Sequence, residues 1–203
     1  MSRSTKCLIA LFAASVAFAI DKNKDGKFKP GAASSYPSHQ TVSGVTVAAA
    51  AYHTPELARE AFGKANPYEY GVLPVLLVIQ NDTKQALRID SLVTQLITHD
   101  RQTVDPTPAS EVKYLAGGRT ARVGQSPLPT GRPPLVRDKN KLDTWEIEGR
   151  AFEARMLPAG EAAHGFFYFR APYRVGAQVL VKGIREAATG KELFYFEIPL
   201  KSK

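Results

Sequence analysis

The chain has 203 residues, with 27 Lys and Arg against 19 Asp and Glu, a net charge of +8. That length suits one domain with a real core, and 44% apolar content is ordinary for a globular protein. A single cysteine, Cys7, excludes an internal disulfide framework and a cysteine-based metal site.

The first residues read as an export signal. Arg3 and Lys6 precede an apolar run from Cys7 to Phe18, which ends on Ala17-Phe18-Ala19. A basic start, a short apolar stretch and a small-x-small end are the pattern of a secretory signal peptide. Residues 1–19 are therefore expected to be cleaved. Cleavage would remove Cys7, Arg3 and Lys6, leaving 25 basic and 19 acidic residues, a net +6. The expected product is exported, periplasmic or extracellular, with no transmembrane segment in the mature chain. A mature chain without cysteine fits a bacterial envelope protein better than a disulfide-rich ectodomain.

Residues 20–41 are polar and read as a flexible leader. Within it, Asp21, Asn23 and Asp25 occupy positions one, three and five of a calcium-loop pattern, and Gly26 occupies position six. That spacing lets alternate oxygens converge on one cation while glycine permits the turn. Position twelve is Ala32, where a bidentate Glu belongs, and position ten is Pro30. The favoured reading is a solvated leader with no cofactor; calcium is the alternative.

Residues 42–203 are expected to form one domain. Val45, Val47 and Ala49 alternate as a first strand. Thr54-Pro55-Glu56 has helix-start chemistry, and Gly63 ends the short helix it opens. Tyr68 and Tyr70 lie in a connector before residues 72–81, VLPVLLVIQN. This run is apolar at almost every position, which predicts a strand buried on both faces. Pro74 cannot donate to a ladder and is expected at the strand's entry. Residues 86–98 read as its hairpin partner, with a bulge or a change of partner near Asp90-Ser91.

Thr107-Pro108 predicts a second short helix, closed by Gly117-Gly118. Residues 119–143 lack periodicity and are rich in Pro, Gly and Arg, which predicts a long irregular loop. Trp145 and Ile147 alternate with Glu146 and Glu148, and Phe152, Ala154 and Met156 continue the alternation, as a strand would. In residues 165–171, Phe166 and Tyr168 share one face and Phe167 and Phe169 the other. Residues 177–186 and 192–200 form the clearest hairpin, with a bulge expected at Gly183. The fold class is mainly β: an antiparallel immunoglobulin-like sandwich of about seven strands with two short inserted helices.

Catalytic signatures are absent: there is no GxSxG, HExxH, GxxxxGK[ST] or strand-linked GxGxxG. His39, His53, His99 and His164 are scattered, and a zinc site would require strand ends to bring His53, His99 and His164 together. Charge is the more informative feature. Lys113, Arg119, Arg122, Arg132, Arg137, Lys139 and Lys141 face Asp138 alone, a local balance of +6. A basic loop of this kind can hold phosphate or carboxylate groups, with Arg offering two parallel hydrogen bonds. Tyr114 is the segment's one aromatic, so the stacking platforms of single-strand nucleic-acid binders are missing and nucleic acid is not expected.

From Tyr70 through Asn81, and again from the Met156-Leu157-Pro158-Ala159-Gly160 turn to Phe169, the chain resembles uncharacterised exported bacterial proteins. The resemblance implies an immunoglobulin-like sandwich over about Val72 to Leu200 and transfers no site residue. The expected function is that of an exported, non-enzymatic binding protein for a protein or an anionic envelope component. The alternative is a hydrolase or carbohydrate-active enzyme built from His99, His164 and carboxylates. For the leader, millimolar calcium is expected to give no binding heat in titration calorimetry. A saturable isotherm would restore the loop of Asp21, Asn23 and Asp25 as a metal site.

Overall fold

A strand that is apolar on both faces needs cover on both, and this requirement organises the architecture. The computed structural model describes residues 28–116, 122–123, 135–136, 140–193 and 195–201. The doubly apolar run forms β3 (Leu73–Asn81), the third strand in the chain after β1 (His39–Val42) and β2 (Val45–Ala51). Leu73, Val75, Leu77 and Ile79 enter one core, and Leu76 and Val78 enter another. Every residue of β3 is buried except Gln80, which is partly buried.

The sheet holding β3 has the order β1, β2, β3, β10, where β10 is Ala162–Phe169. All its pairings are antiparallel, with Val47 opposite Ile79 and Gly165 opposite Leu77. Pro74 lies at the entry of β3, as its missing N–H requires. Its carbonyl accepts from Tyr52 N–H (2.9 Å), one residue beyond the end of β2.

One face of this sheet packs on β-structure. After β3 the chain forms β4 (Leu87–Arg88), β5 (Val93–Ile97) and β6 (Thr103–Val104). Further along come β9 (Met156–Leu157), β11 (Gln178–Lys182), β12 (Arg185–Glu186) and β13 (Phe196–Pro199). These make a four-stranded sheet, β13-β11-β5-β6, and a three-stranded one, β12-β4-β9. Leu87, Leu96, Val179, Val181, Phe196 and Ile198 meet the β3 face in a common core. The opposite face is covered by α1 (Pro55–Phe62), α2 (Ala109–Val112) and α3 (Trp145–Glu148). Ala58, Ala61, Phe62, Val112 and Ile147 pack there against Tyr52, Phe166 and Tyr168. The fold is mainly β and antiparallel, with eleven strands in three sheets where about seven strands were expected. The remaining short strands, β7 (Arg122–Val123) and β8 (Leu135–Val136), pair with each other within the segment expected to be irregular. No helix among the described residues is long and apolar enough to cross a membrane.

Several expectations hold at the level of single residues. Thr54 Oγ1 accepts from Leu57 N–H at the start of α1, and Gly63 follows its end. The terminal hairpin forms as β11 and β13, with Val179 opposite Ile198. Gly183 has φ +89° and interrupts the strand between β11 and β12. A side chain there would also press on the Ser91 carbonyl group, so the break needs glycine.

Other expectations are corrected. Residues 86–98 do not pair with β3, whose neighbours are β2 and β10. They divide at Asp90-Ser91 into β4 and β5, which join the two other sheets. The alternation at Trp145–Glu148 belongs to a helix, because only Ile147 turns inward while Trp145 and Glu148 remain exposed. Four residues are too few for periodicity to separate the two structures. Part of the stretch expected to be a flexible leader is built into the fold: Ala33 and Tyr36 are buried, and His39–Val42 is a strand.

The sheets are tied at Asn81, which is fully buried. Its Nδ2 lies within hydrogen-bond distance of the carbonyls of Gln85 (2.8 Å), Pro158 (2.9 Å) and Leu157 (3.1 Å), which share its two N–H donors. Its Oδ1 accepts from the Thr83 backbone N–H and hydroxyl. Asn81→Ala removes all of these bonds at a fully buried position, the one to the buried Leu157 carbonyl among them, and is expected to cost about 2–4 kcal/mol in urea unfolding. A loss below about 0.5 kcal/mol would show that Asn81 does not tie the turn.

Candidate functional site

The candidate site lies where α3 runs out beside the edge of β10. α3 has only four residues, so it buries Ile147 and leaves Trp145 outside, 67% exposed. The chain then turns at Gly149 and runs alongside β10. Phe166 N–H donates to the Arg150 carbonyl (2.8 Å), and Phe152 N–H donates to the Phe166 carbonyl (3.2 Å). This approach is close enough that a Cβ on Gly165 would lie 2.6 Å from Phe152 N. Glycine at that position is therefore what lets the 150–152 segment reach the strand.

The result is a cleft of about 330 Å³ lined by Phe28, Trp145, Arg150, Ala151, His164 and Phe166. The Arg150 guanidinium carbon lies 5.4 Å from the Phe28 ring centre and 5.8 Å from that of Trp145. Both are cation–π distances. Phe28 packs 5.4 Å from Phe166, and Phe166 meets Tyr52 edge-on at 4.9 Å. The wall holding the cation is thus continuous with the buried core. Tyr168, beneath it, donates its hydroxyl to the Ile147 carbonyl (2.7 Å), anchoring α3 to β10. Burial pushes the Tyr168 phenol above its usual pKa.

Desolvation lowers the pKa of Arg150, opposed by the charge of Glu146. Guanidinium titrates so far above neutrality that Arg150 remains a cation. An aromatic-flanked guanidinium at an open cleft can receive a carboxylate or phosphate. His39 and His53 bond the backbone carbonyls of Tyr36 and Ala51, while His99 lies beside Asp100. No group of three His, Cys, Asp or Glu side chains is placed to hold a metal among the described residues.

The sequence-derived binding residues fall unevenly. Lys113 Nζ is 3.1 Å from Glu148 Oε1 and lies over the Tyr114 ring, so it is held in an ion pair. Its pKa is raised by the hydrogen bond and charge of Glu148. Lys141 is exposed. Arg122 lies on β7, opposite Val136 of β8. Arg119, Arg132, Arg137 and Lys139 lie outside the described residues, as do Asp21, Asn23 and Asp25. Asn140 Nδ2 donates to the Lys113 carbonyl, so the two ends of the basic segment meet. The Lys113–Glu148 pair joins that root to α3, the helix that carries Trp145.

Neither Arg150 nor Trp145 stood out in the sequence. Trp145 read as one residue of an alternating strand, and Arg150 lies outside the dense basic run. Tyr68 and Tyr70, expected in a connector, fall in a short helical turn, Pro67–Tyr70. The Tyr68 hydroxyl accepts from Tyr173 N–H, and the Tyr173 ring stacks on His53 at 4.0 Å, so Tyr68 has a packing role.

No protein-family model matches this chain, and no curated protein matches it. Among solved structures it is similar to a functionally unknown protein from Listeria monocytogenes EGD-e, with a TM-score of 0.33 and 11% identity. That alignment covers 81% of this chain and 82% of the other.

His164 is the cleft's titratable group near neutrality. It keeps contact with solvent, yet surrounding protein desolvates its ring and lowers its pKa below 6.5. The unfolded chain then binds more protons between the two pKa values, so this contribution is complete above 6.5 and declines as pH falls below it. Proton NMR of the imidazole is expected to show a midpoint below 6.5. A midpoint at or above that value would show that the cleft does not desolvate the ring.

Proposed function

We propose that the protein is an exported, non-enzymatic binding protein that engages an anionic envelope component or an acidic protein surface. Arg150 and the basic residues between Lys113 and Lys141 supply the positive charge. The observation that carries this reading is the Arg150 guanidinium, set against Phe28 and Trp145 at the mouth of the cleft. Aromatic contact holds the group in place, so less side-chain freedom is lost when an anion binds. The root of the basic segment is fastened to the same helix through Lys113 and Glu148, so both sources of charge can serve one ligand. Export rests on the signal-like residues 1–19, and an immunoglobulin-like relationship between the packed sheets is part of the same proposal.

Trp145 is the only tryptophan, so its emission reports on the cleft. Titration with heparin or anionic vesicles is expected to change that emission saturably, and less at high salt. Arg150→Gln should weaken the response about tenfold or more. Arg119→Glu/Arg122→Glu should elute earlier from immobilised heparin. Unchanged emission, together with elution indifferent to all three substitutions, would sink the proposal.

A further inference from the structure

β10 is the edge of its sheet, and hydrogen bonding along the strand shows which backbone groups face outward. Phe166 directs both its N–H and its C=O away from β3, to Arg150 and Phe152. Tyr168 directs its carbonyl the same way, to Thr107 N–H. Strand geometry repeats every two residues, so Ala162 and His164 present their N–H and C=O on that same outer edge. Among the described residues, the strand-like cover there is the contact of Ala151 with Phe166 and of Thr107 with Tyr168. No described backbone group bonds outward to Ala162 or His164.

The uncovered stretch opens onto the Arg150 cleft, since His164, Gly165 and Phe166 line one side of it and Arg150 the other. The segment from Arg150 to Phe152 already runs parallel to β10 for one bridge, and α3 draws the preceding residues away. The edge is therefore templated for another extended chain and, among the described residues, is unpaired where that chain would continue. Unpaired edge groups are the binding surface of strand addition, with neighbouring side chains giving selectivity. The selecting side chain here is a cation against two aromatic rings, which complements a carboxylate.

We infer that the ligand of this cleft is an extended acidic peptide. It adds as a short strand to β10 at Ala162 and His164 and places a carboxylate on Arg150. This deepens the anion-binding reading and rests on it. Two of its hydrogen bonds are to the His164 N–H and C=O, which a polysaccharide or lipid headgroup would not pair in strand register.

The test uses the mature protein with an alternating Thr-Glu peptide of about ten residues, the same peptide N-methylated at alternate positions, and a heparin oligosaccharide of similar charge. The unmodified peptide is expected to shift Trp145 emission and protect the His164 amide from hydrogen exchange. N-methylation should weaken binding about tenfold or more, through lost backbone hydrogen bonds. His164→Pro removes an outward-facing donor without taking a ladder bond from β3, and should weaken the unmodified peptide alone. Equal binding of the methylated and unmethylated peptides, or binding of heparin alone, would overturn strand addition while leaving anion binding intact. If no probe alters Trp145 emission or is retained by the protein, both readings fall. The peptide comparison decides the question even if His164→Pro does not fold.

Discussion

Coverage of β3 on both faces is the constraint on which the rest of the structure depends. Leu73, Val75, Leu77 and Ile79 demand one apolar layer, and Leu76 and Val78 demand another. Burial at roughly 25 cal/mol per Å² of apolar surface makes each layer a major source of stability. The first demand is met by strands that leave the sheet after Asn81. The second is met by three short helices, none long enough to be stable without the sheet beneath it. The helices are therefore a cover for β3, and their surface features follow from how little of each is needed inside.

The cleft is a consequence of that economy. α3 contributes Ile147 alone to the core, and Trp145, on another face of the same short turn, stays in solvent. The Tyr168 hydroxyl fixes α3 through Ile147, and Gly165 admits the following backbone to the edge of β10. Arg150 is delivered between these two anchors. Its charge is set against rings of which Phe28 packs on Phe166, so the polar part of the site rests on the same core that supports the fold.

Asn81 does comparable work at the opposite end of β3. One side chain draws together the carbonyls of Gln85, Leu157 and Pro158, and its own oxygen accepts from Thr83. In sequence it is only the polar end of the apolar run 72–81. Its burial shows that the turn after β3 and the turn before β10 are one unit. That is why β10, and not the next strand in the chain, becomes the partner of β3. Nothing in the periodicity of residues 86–98 signalled this, because Leu87 and Ile89 alternate equally well in any sheet that buries one face.

The amino-acid sequence by itself determined local character. It specified that β3 is buried on both sides, that Pro74 stands at its entry, that Thr54 and Pro55 open a helix, and that β11 and β13 form a hairpin. Each of these rests on neighbouring residues whose sterics and hydrogen bonding act over a few positions. Tertiary structure alone decided the strand partners, the helical state of Trp145–Glu148 and the meeting of Arg150, Phe28 and His164. Those outcomes depend on which apolar faces remain to be covered once the chain collapses, and on backbone hydrogen bonds that carry no side-chain signature. A cation brought to a strand edge in this way leaves no trace in spacing, so the candidate site became visible only in three dimensions.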